Sequence, residues 1–266
     1  MRRFLVIGAT GVAGGAAIRA VRRFFGEEAE VTGVWYGRPG SVEAVEGVDR
    51  LVFGDAAEPQ TLEAVAREAG ERFDWCFFAT AMGEVGFPIR EATPEQIAQS
   101  NRLSFDPLPR IEQRFEVGTL VAYSTFFTLR HQRITYGAMG HSKHAIEQWA
   151  VQPGRSRHLV IRAGAFRSAS SQAIKLLVRR RARQLAQAED PLLRSYFEGT
   201  SPAEAVERLE RAVLEEERAT YGDTGTDAAA LEAAHVHLFN GVHGPFVNVC
   251  GRRIWESAEP QPLPTE

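Results

Sequence analysis

Cysteine is scarce in this chain, and its histidines are scattered. Only 2 cysteines, Cys76 and Cys250, occur in 266 residues, which excludes a disulfide framework and fits a reducing compartment. The 7 histidines form neither an H-E-x-x-H pattern nor a Cys/His grouping of metal-ligand spacing. The composition therefore predicts no metal site.

An excess of charge and a long apolar run are both missing. The chain carries 31 basic and 34 acidic residues, a net charge of −3, so it has no overall basic field that would attract nucleic acid. The apolar run that follows the first arginines ends at Gly8, and this length predicts a buried strand rather than a signal peptide or a membrane span. We expect a cytoplasmic protein that binds neither nucleic acid nor membranes.

What the chain does have is an alternation of short apolar runs with segments of helical spacing. The alternation predicts an α/β fold, with a Rossmann-type doubly wound parallel sheet covered by helices on both faces. The predicted strands are Phe4–Ile7, Val31–Trp35, Leu51–Phe53, Trp75–Phe78, Thr119–Tyr123, His158–Arg162 and Phe246–Val249. The predicted helices between them include Ala16–Phe25, Gln60–Gly70, the segment from Pro94, Ser142–Val151 and Ala228–Phe239.

The alternation is interrupted in the C-terminal third. Long charged segments of helical spacing, Ala173–Ala188 and Ala203–Ala219, predict a helical insertion over residues 173–226 that covers the substrate site. The last residues, 257–266, are rich in proline and polar side chains and predict a loose tail. We interpret residues 1–266 as a single dinucleotide-binding domain that carries these two additions.

A glycine turn follows the first predicted strand. Gly8, Gly11 and Gly14 are spaced G-x-x-G-x-x-G between a strand and a helix. Residues without a Cβ let the backbone approach a pyrophosphate, and the start of the helix offers free N–H groups to phosphate. In this context the turn predicts a dinucleotide site, with Thr10 and Val12 as further members.

Three later strand ends add candidate cofactor contacts. The second strand is followed by Arg38 where an acidic residue would bind the ribose diol of NAD, so the sequence favours NADP(H) and leaves NAD(H) possible. Asp55 follows the third strand and could contact adenine or cap the next helix. Ala79–Ala81, with Thr80 between the alanines, ends the fourth strand, where the ribose would pass.

Tyr136 and Lys143 are the candidate reacting pair. Two helical turns bring residues seven apart back to nearly the same face, about 10 Å along the axis. A phenol can donate a proton to an acceptor oxygen, and a nearby ammonium can hold the nicotinamide ribose and stabilise phenolate. Beside a dinucleotide turn, the pair predicts reduction that depends on a nicotinamide.

The glycine turn, Asn101, the strand GTLVAYST and the Tyr/Lys segment resemble the short-chain dehydrogenase/reductase superfamily. The common spacing in that superfamily is Tyr-x3-Lys, whereas YGAMGHSK resembles the Tyr-x6-Lys of the divergent enoyl-acyl-carrier-protein reductases. The segments AGAFRSASS and NVCGRRIW also resemble stretches of those enzymes. The turn G-x-x-G-x-x-G and the missing proline in AGAFR depart from them, and region 176–226 has no clear counterpart.

The resemblance implies a role for each matching residue. Tyr136 would stabilise an enolate formed from an enoyl thioester, and Lys143 would bind the nicotinamide ribose. Ser124 or Thr125 would supply a hydroxyl, and Asn101 would hold a helix bend and a water. The remaining implied contacts are Ala163, Gly164 and Ala165 with the nicotinamide, and Phe126, Phe127 and Met139 with the substrate.

The resemblance also implies partners. The substrate would be a small molecule or an acyl thioester, on an acyl carrier protein or coenzyme A, and the chain would form a homo-oligomer. Two alternatives to enoyl reduction stay open. One is a carbonyl oxidoreductase that uses the same Tyr and Lys, and the other is a non-catalytic NAD(P)-sensing regulator.

Replacing Arg38 tests the predicted cofactor preference. We expect Arg38→Ala to weaken binding of NADP more than binding of NAD, because the guanidinium would pair with the 2′-phosphate that only NADP carries. Titrating the wild type and the variant with both cofactors measures this. An equal loss for the two cofactors would remove Arg38 from the argument.

Overall fold

In the computed structural model, which describes residues 1–37 and 40–264, eight strands form one sheet. Their order across the sheet is β3-β2-β1-β4-β5-β6-β7-β8. The strands are β1 (Arg2–Ile7), β2 (Ala29–Trp35), β3 (Arg50–Phe53), β4 (Arg72–Phe78), β5 (Glu116–Thr125), β6 (Arg157–Ala163), β7 (Phe246–Cys250) and β8 (Arg253–Ser257). Neighbours from β3 to β7 pair in parallel, and β8 joins the edge antiparallel to β7.

Ten α-helices connect or cover the strands in this part of the chain. They are α1 (Val12–Phe25), α2 (Pro59–Ala69), α3 (Pro94–Ser104), α4 (Pro107–Arg114), α5 (Arg130–Arg133), α6 (Gly137–Ala150), α7 (Ala169–Leu185), α8 (Pro191–Phe197), α9 (Pro202–Tyr221) and α10 (Ala228–Phe239). Capping residues explain several starts: Thr93, Ser168, Asp190, Ser201 and Asp227 each accept a backbone N–H of the first turn of the helix that follows. None of the helices in residues 1–37 and 40–264 has the length and apolar character of a membrane span.

Side chains that alternate along the strands build a core on each face of the sheet. Phe4 and Val6 of β1 pack with α1 and α10, whereas Leu5 and Ile7 pack on the other face with α2, α4 and α6. Because successive side chains of a strand point to opposite faces, one apolar run fills both cores. The sequence prediction of a doubly wound α/β sheet is confirmed.

The strand order reverses at β1, and this reversal positions the site. β1 lies between β2 and β4, so the crossovers on its two sides run in opposite directions along the sheet. A crevice opens beyond the carboxyl ends of the strands at such a switch point, and ligands of open α/β sheets bind there. The glycine turn and the ends of β2, β3 and β4 all meet at this edge.

Helices α7, α8 and α9 form the segment between β6 and β7. Val178, Leu185, Leu193, Phe197 and their apolar neighbours pack into a small cluster of their own. That cluster also takes in Ile134, which follows α5. The segment predicted as a helical insertion is therefore helical, and it is anchored next to the residues that precede Tyr136.

The C-terminal segment differs from the loose tail that the sequence predicts. Residues 253–257 form strand β8, which was not predicted. Beyond it, Gln261 hydrogen-bonds through both its backbone and its side chain to Glu147, and its amide also donates to the Thr125 carbonyl at 2.7 Å. Composition alone misled here, because a single glutamine satisfies buried polar groups that are distant in sequence.

A buried histidine pairs with a buried tyrosine on the α10 face. His235 is fully buried, and its Nδ1 lies 2.7 Å from the Leu231 carbonyl. A carbonyl only accepts, so Nδ1 carries the proton and Nε2 accepts from the Tyr123 hydroxyl at 2.6 Å. Burial lowers the pKa of His235 to about 4.

His235 makes the stability of the fold depend on pH. Its pKa falls from an ordinary 6.5 to about 4 on folding, so between these values the unfolded chain binds a proton that the folded chain does not. The contribution of His235 to the free energy of unfolding is therefore fully present above pH 6.5. It is lost as the pH falls toward 4, by up to about 1.4 kcal/mol per pH unit.

Urea unfolding of the wild type and of His235→Gln at about pH 5 and about pH 7.5 measures this contribution. We expect the variant to lose less stability than the wild type at the lower pH, because its amide does not titrate. The same pH dependence in both proteins would contradict the assignment.

Candidate active site

The glycine turn joins β1 tightly to α1. Gly8 has a φ of +87°, and a Cβ there would lie 2.7 Å from the Ala79 carbonyl oxygen. A Cβ on Gly14 would collide with the Gly8 carbonyl. Glycine is needed at both positions, since one has a left-handed backbone and the other lets the helix approach the turn. Helix α1 begins immediately after Gly11, and no side chain caps its first turn.

A groove of about 190 Å³ opens at this turn. Its lining comes from the turn and from the ends of β2, β3 and β4: Ile7, Gly8, Gly11, Val34, Trp35, Tyr36, Gly54, Asp55, Ala56, Ala79, Thr80, Ala81, Met82 and Leu103. The predicted cofactor residues that line this groove come from the turn and from the ends of β3 and β4: Gly8, Gly11, Asp55, Ala79, Thr80 and Ala81. Thr10 belongs to the same turn, Val12 and Gly14 lie in the first turn of α1, and Arg38 lies outside the described residues.

The groove fits the diphosphate and adenosine parts of a dinucleotide. Its floor is backbone at Gly8 and Gly11, and the uncapped first turn of α1 presents N–H groups and the positive end of the helix dipole. Trp35 and other apolar side chains line most of the rest, together with the polar side chains of Thr80 and Asp55. No carboxylate other than Asp55 is among the described residues that line the groove.

Asp55 lines the groove but does not cap α2, because the N-cap of that helix is Glu58 and no side chain caps its first turn. The contact of Asp55 with adenine stays a prediction. One carboxylate oxygen accepts the Ala57 N–H at 2.9 Å, which fixes the turn before α2. The other accepts from Arg102 at 2.9 Å, which also pairs with Glu58. The residue therefore braces the rim of the groove while still lining it.

Tyr136 and Lys143 are brought to the carboxyl end of one strand. Tyr136 directly precedes α6 with helical dihedrals, and Lys143 lies in the second turn of that helix. The Lys143 ammonium donates to the Tyr123 carbonyl at 2.9 Å, and the Tyr136 hydroxyl contacts the Thr125 side chain. Positions 123 and 125 of β5 are about 7 Å apart along a strand. The two head groups therefore lie near the same end of β5.

The environment shifts the pKa values of both groups. Burial raises the pKa of Tyr136 to about 12, with a smaller raising effect of Glu217 and an opposing one of Thr125. Burial also lowers the pKa of Lys143 to about 8, opposed by the nearby Glu147. At neutral pH the phenol is a proton donor, and the lysine is close to its titration point.

Strand alternation separates the two hydroxyl candidates. Thr125 Oγ1 donates to the Ala163 carbonyl at 2.8 Å, on the side where Tyr136 contacts it. Ser124 Oγ points to the α6 face and donates to Glu147 at 2.6 Å. The structure therefore places Thr125 with Tyr136, and Ser124 supports the buried carboxylate.

Glu147 and Arg162 form a fully buried ion pair beneath this edge. Glu147 is 0% exposed and Arg162 is 5% exposed. The guanidinium donates to both carboxylate oxygens, at 2.9 and 2.7 Å, and lies over the Phe246 ring. Gln261 and Ser124 complete the hydrogen bonds of the carboxylate. The sequence analysis missed this pair, although Glu147 follows Lys143 by one helical turn.

The predicted substrate-pocket residues lie inside the protein. The Phe126 ring lies parallel to the Trp255 ring, with 5.8 Å between the ring centroids, and its centroid lies 4.3 Å from that of Tyr221. Phe127 is completely buried, and Met139 is 7% exposed beside Gly83. The structure therefore packs these side chains into the core rather than along the groove, and their contact with a substrate stays a prediction.

Asn101 and the loop after β6 have protein partners. Asn101 Oδ1 accepts from Ser142 Oγ at 2.7 Å, which ties α3 to α6. Gly164 N–H donates to the Val249 carbonyl at 2.8 Å, and Ala165 N–H donates to Glu217 at 2.7 Å. The loop lies at the edge where β5 and β6 end, so its position agrees with the predicted nicotinamide contact, but these two N–H groups are already bound.

No family model matches the chain, and no curated protein matches it. Several solved structures do match the chain. The chain is 18% identical to a levodione reductase over 94% of this chain and 96% of that one, with a TM-score of 0.61. An NAD⁺-bound xylitol dehydrogenase is 17% identical over 89% and 91% of the two chains, with a TM-score of 0.60.

A short-chain dehydrogenase/reductase from Saccharomyces cerevisiae is 14% identical over 93% of this chain and 96% of that one, with a TM-score of 0.59. The chain has the short-chain dehydrogenase/reductase fold. That expectation from the sequence is confirmed at the level of the fold. The likeness extends over nearly the whole chain.

Replacing Arg162 tests the buried pair. We expect Arg162→Met to destabilise the fold by about 3–5 kcal/mol, because it leaves the Glu147 carboxylate buried without its cation. The double variant Arg162→Met with Glu147→Leu should recover most of that loss, since it removes both charges. Chemical denaturation of the four proteins of this cycle gives the coupling. If the double variant loses as much stability as the two single variants together, a direct pairing of the two residues is contradicted.

Proposed function

We propose that the protein is an NAD(P)H-dependent oxidoreductase that reduces the C=C bond of an enoyl thioester or a related enone. The observation that carries the proposal is the convergence of a protonated phenol and a buried ammonium on the end of β5, at the same sheet edge as the dinucleotide groove. The Tyr-x6-Lys spacing, which resembles that of divergent enoyl reductases, favours C=C over C=O reduction.

When bound, the nicotinamide group supplies the hydride. The protein's own contribution is position and charge. The glycine turn and the start of α1 hold the diphosphate, and Lys143 is the candidate for the ribose of the nicotinamide half. Tyr136 donates a hydrogen bond to the acceptor oxygen and stabilises the negative charge that grows there. Its raised pKa keeps the proton available for that donation.

NADP(H) is the favoured cofactor. Among the described residues, Asp55 is the sole acid that lines the groove, and it is already paired with Arg102. A free carboxylate that would bind the ribose diol of NAD is not among them. A 2′-phosphate would therefore meet no unpaired negative charge from these residues.

Carbonyl reduction is the second candidate. The Thr125 hydroxyl contacts Tyr136, so a second hydroxyl group lies beside the phenol, with its proton donated to the Ala163 carbonyl. Levodione reductase and xylitol dehydrogenase, whose folds this chain shares, have names that denote oxidoreductases of carbonyl or alcohol groups.

Cofactor absorbance measured with matched acceptors distinguishes the candidates. The purified protein is given NADPH or NADH with an enoyl thioester or with the β-ketoacyl thioester of the same chain length. We expect oxidation of the cofactor with the enoyl acceptor. Oxidation with the ketone alone supports the second candidate, and cofactor binding without turnover on either acceptor supports a sensing protein.

Replacing the phenol tests the mechanism. We expect Tyr136→Phe to lower kcat by about 10²-fold or more, because the donor to the acceptor oxygen is lost. Cofactor affinity should change little, since the groove is unaltered. Steady-state rates and fluorescence titration with NADPH measure the two quantities. Turnover close to that of the wild type would exclude Tyr136 from the reaction.

A further inference from the structure

Glu217 is a buried carboxylate that the functions described so far do not use. It lies on α9, in the helical segment between β6 and β7, and is 0% exposed. An ionisable group at this depth requires partners, because moving a charge out of water is costly. Its partners come from other parts of the fold.

Four donors surround the Glu217 carboxylate. Oε1 accepts the Ala165 N–H at 2.7 Å and the Gln132 side-chain amide at 3.3 Å. Oε2 accepts from Thr224 Oγ1 at 3.1 Å and from Cys250 Sγ at 3.8 Å. These donors belong to the loop after β6, to α5, to the segment after α9 and to β7. One carboxylate therefore ties the helical segment to three other parts of the molecule.

A short path connects this carboxylate to the candidate phenol. The Gln132 side chain lies 3.2 Å from Thr125 Oγ1, and Thr125 contacts the Tyr136 hydroxyl. The Gln132 carbonyl also accepts the Tyr136 N–H at 2.9 Å. Gln132 thus holds Tyr136 by its backbone and links its hydroxyl, through Thr125, to Glu217.

The same carboxylate supports the loop at the end of β6. A Cβ on Gly164 would lie 3.1 Å from Glu217 Oε2, so the loop packs directly on the carboxylate. The Ala165 N–H is held by it as well. The loop position is therefore set by Glu217 together with the Gly164 hydrogen bond to β7.

We propose that Glu217 is a positioning residue of the active site, which fixes the loop 163–165 for the nicotinamide half of the cofactor and orients Tyr136 through Gln132 and Thr125. The inference rests on the proposed function, because it assigns that site a further member. It also gives the helical segment a specific task, since α9 supplies the group that completes the edge formed by β5 and β6.

The charge on Glu217 acts on the phenol. Burial is the main cause of the raised pKa of Tyr136, and a negative charge on Glu217 adds a smaller effect in the same direction, because it disfavours phenolate. The other groups that influence this pair are Thr125 next to the phenol, Glu216 on α9, Cys250 on β7, Thr224 and the Ala165 N–H. Of these, Glu216 and Cys250 can ionise.

Two substitutions separate the positioning role from the charge. Glu217→Gln keeps an acceptor for Ala165 and Gln132 but removes the charge. Glu217→Ala removes both. Glu210→Gln is the matched control, because Glu210 lies on the same helix and pairs only with Lys175 among the contacts in the described residues.

Fluorescence titration with NADPH measures the loop effect without turnover. We expect Glu217→Ala to raise the Kd about tenfold, on the scale of one lost hydrogen bond. Glu217→Gln and Glu210→Gln should remain close to the wild type. Rescue by glutamine indicates that the acceptor side chain, rather than its charge, holds the loop.

The Cζ resonance of Tyr136, labelled with ¹³C and assigned by comparison with Tyr136→Phe, measures the charge effect directly. We expect Glu217→Gln to move the titration of this tyrosine, and the alkaline limb of the rate profile for reduction, to lower pH. Glu210→Gln should move neither.

The outcomes separate the two proposals. If the wild type binds NADPH but Glu217→Ala has an unchanged Kd, or if Glu217→Gln leaves the Tyr136 titration in place, this inference is overturned and the proposed function stands. If the folded wild type binds no nicotinamide cofactor, both are overturned.

Discussion

The hydrogen bond from the Lys143 ammonium to the Tyr123 carbonyl is the contact on which the site depends. It fixes α6 against the end of β5, and α6 begins directly after Tyr136. Since the phenol contacts Thr125 on the same strand, one strand end determines where both head groups lie. The glycine turn meets the same edge because β1 and β4 are neighbours and β4 pairs with β5. A shift of α6 along β5 would therefore move both head groups relative to the glycine turn.

Buried charge surrounds this contact on two sides. Below it, Glu147 and Arg162 pair without solvent and hold Gln261 of the C-terminal segment. Beside it, Glu217 connects the helical segment to the loop after β6. Each carboxylate is satisfied by several donors, which offsets the cost of its burial. Burial leaves the phenol protonated near neutral pH and lowers the pKa of Lys143 to about 8, so the lysine is still mostly charged there.

The sequence predicted the parts that follow from local pattern. Apolar runs with turns between them were enough for the parallel sheet, and the glycine spacing marked the groove that the structure places at Gly8 and Gly11. The choice between Ser124 and Thr125 was also within reach, because alternation along β5 sends them to opposite faces. The contacts of Glu217 and Gln261 could not be predicted in this way. Glu217 contacts Gln132, 85 positions away, and Gln261 contacts Glu147, 114 positions away, and no spacing rule connects such partners. The composition of residues 257–266 predicted a loose tail, whereas Gln261 in that segment completes the buried hydrogen bonds of Glu147.

The account stands on one spatial claim, that the phenol and the ammonium at the end of β5 face the same bound nicotinamide ring. A crystal structure of the protein with NADP⁺ measures it most directly. We expect the diphosphate at the start of α1, the Tyr136 hydroxyl in contact with the nicotinamide ring, and the Lys143 ammonium hydrogen-bonded to the adjoining ribose. A complex in which the cofactor occupies the groove while its nicotinamide ring lies away from both side chains would contradict the account.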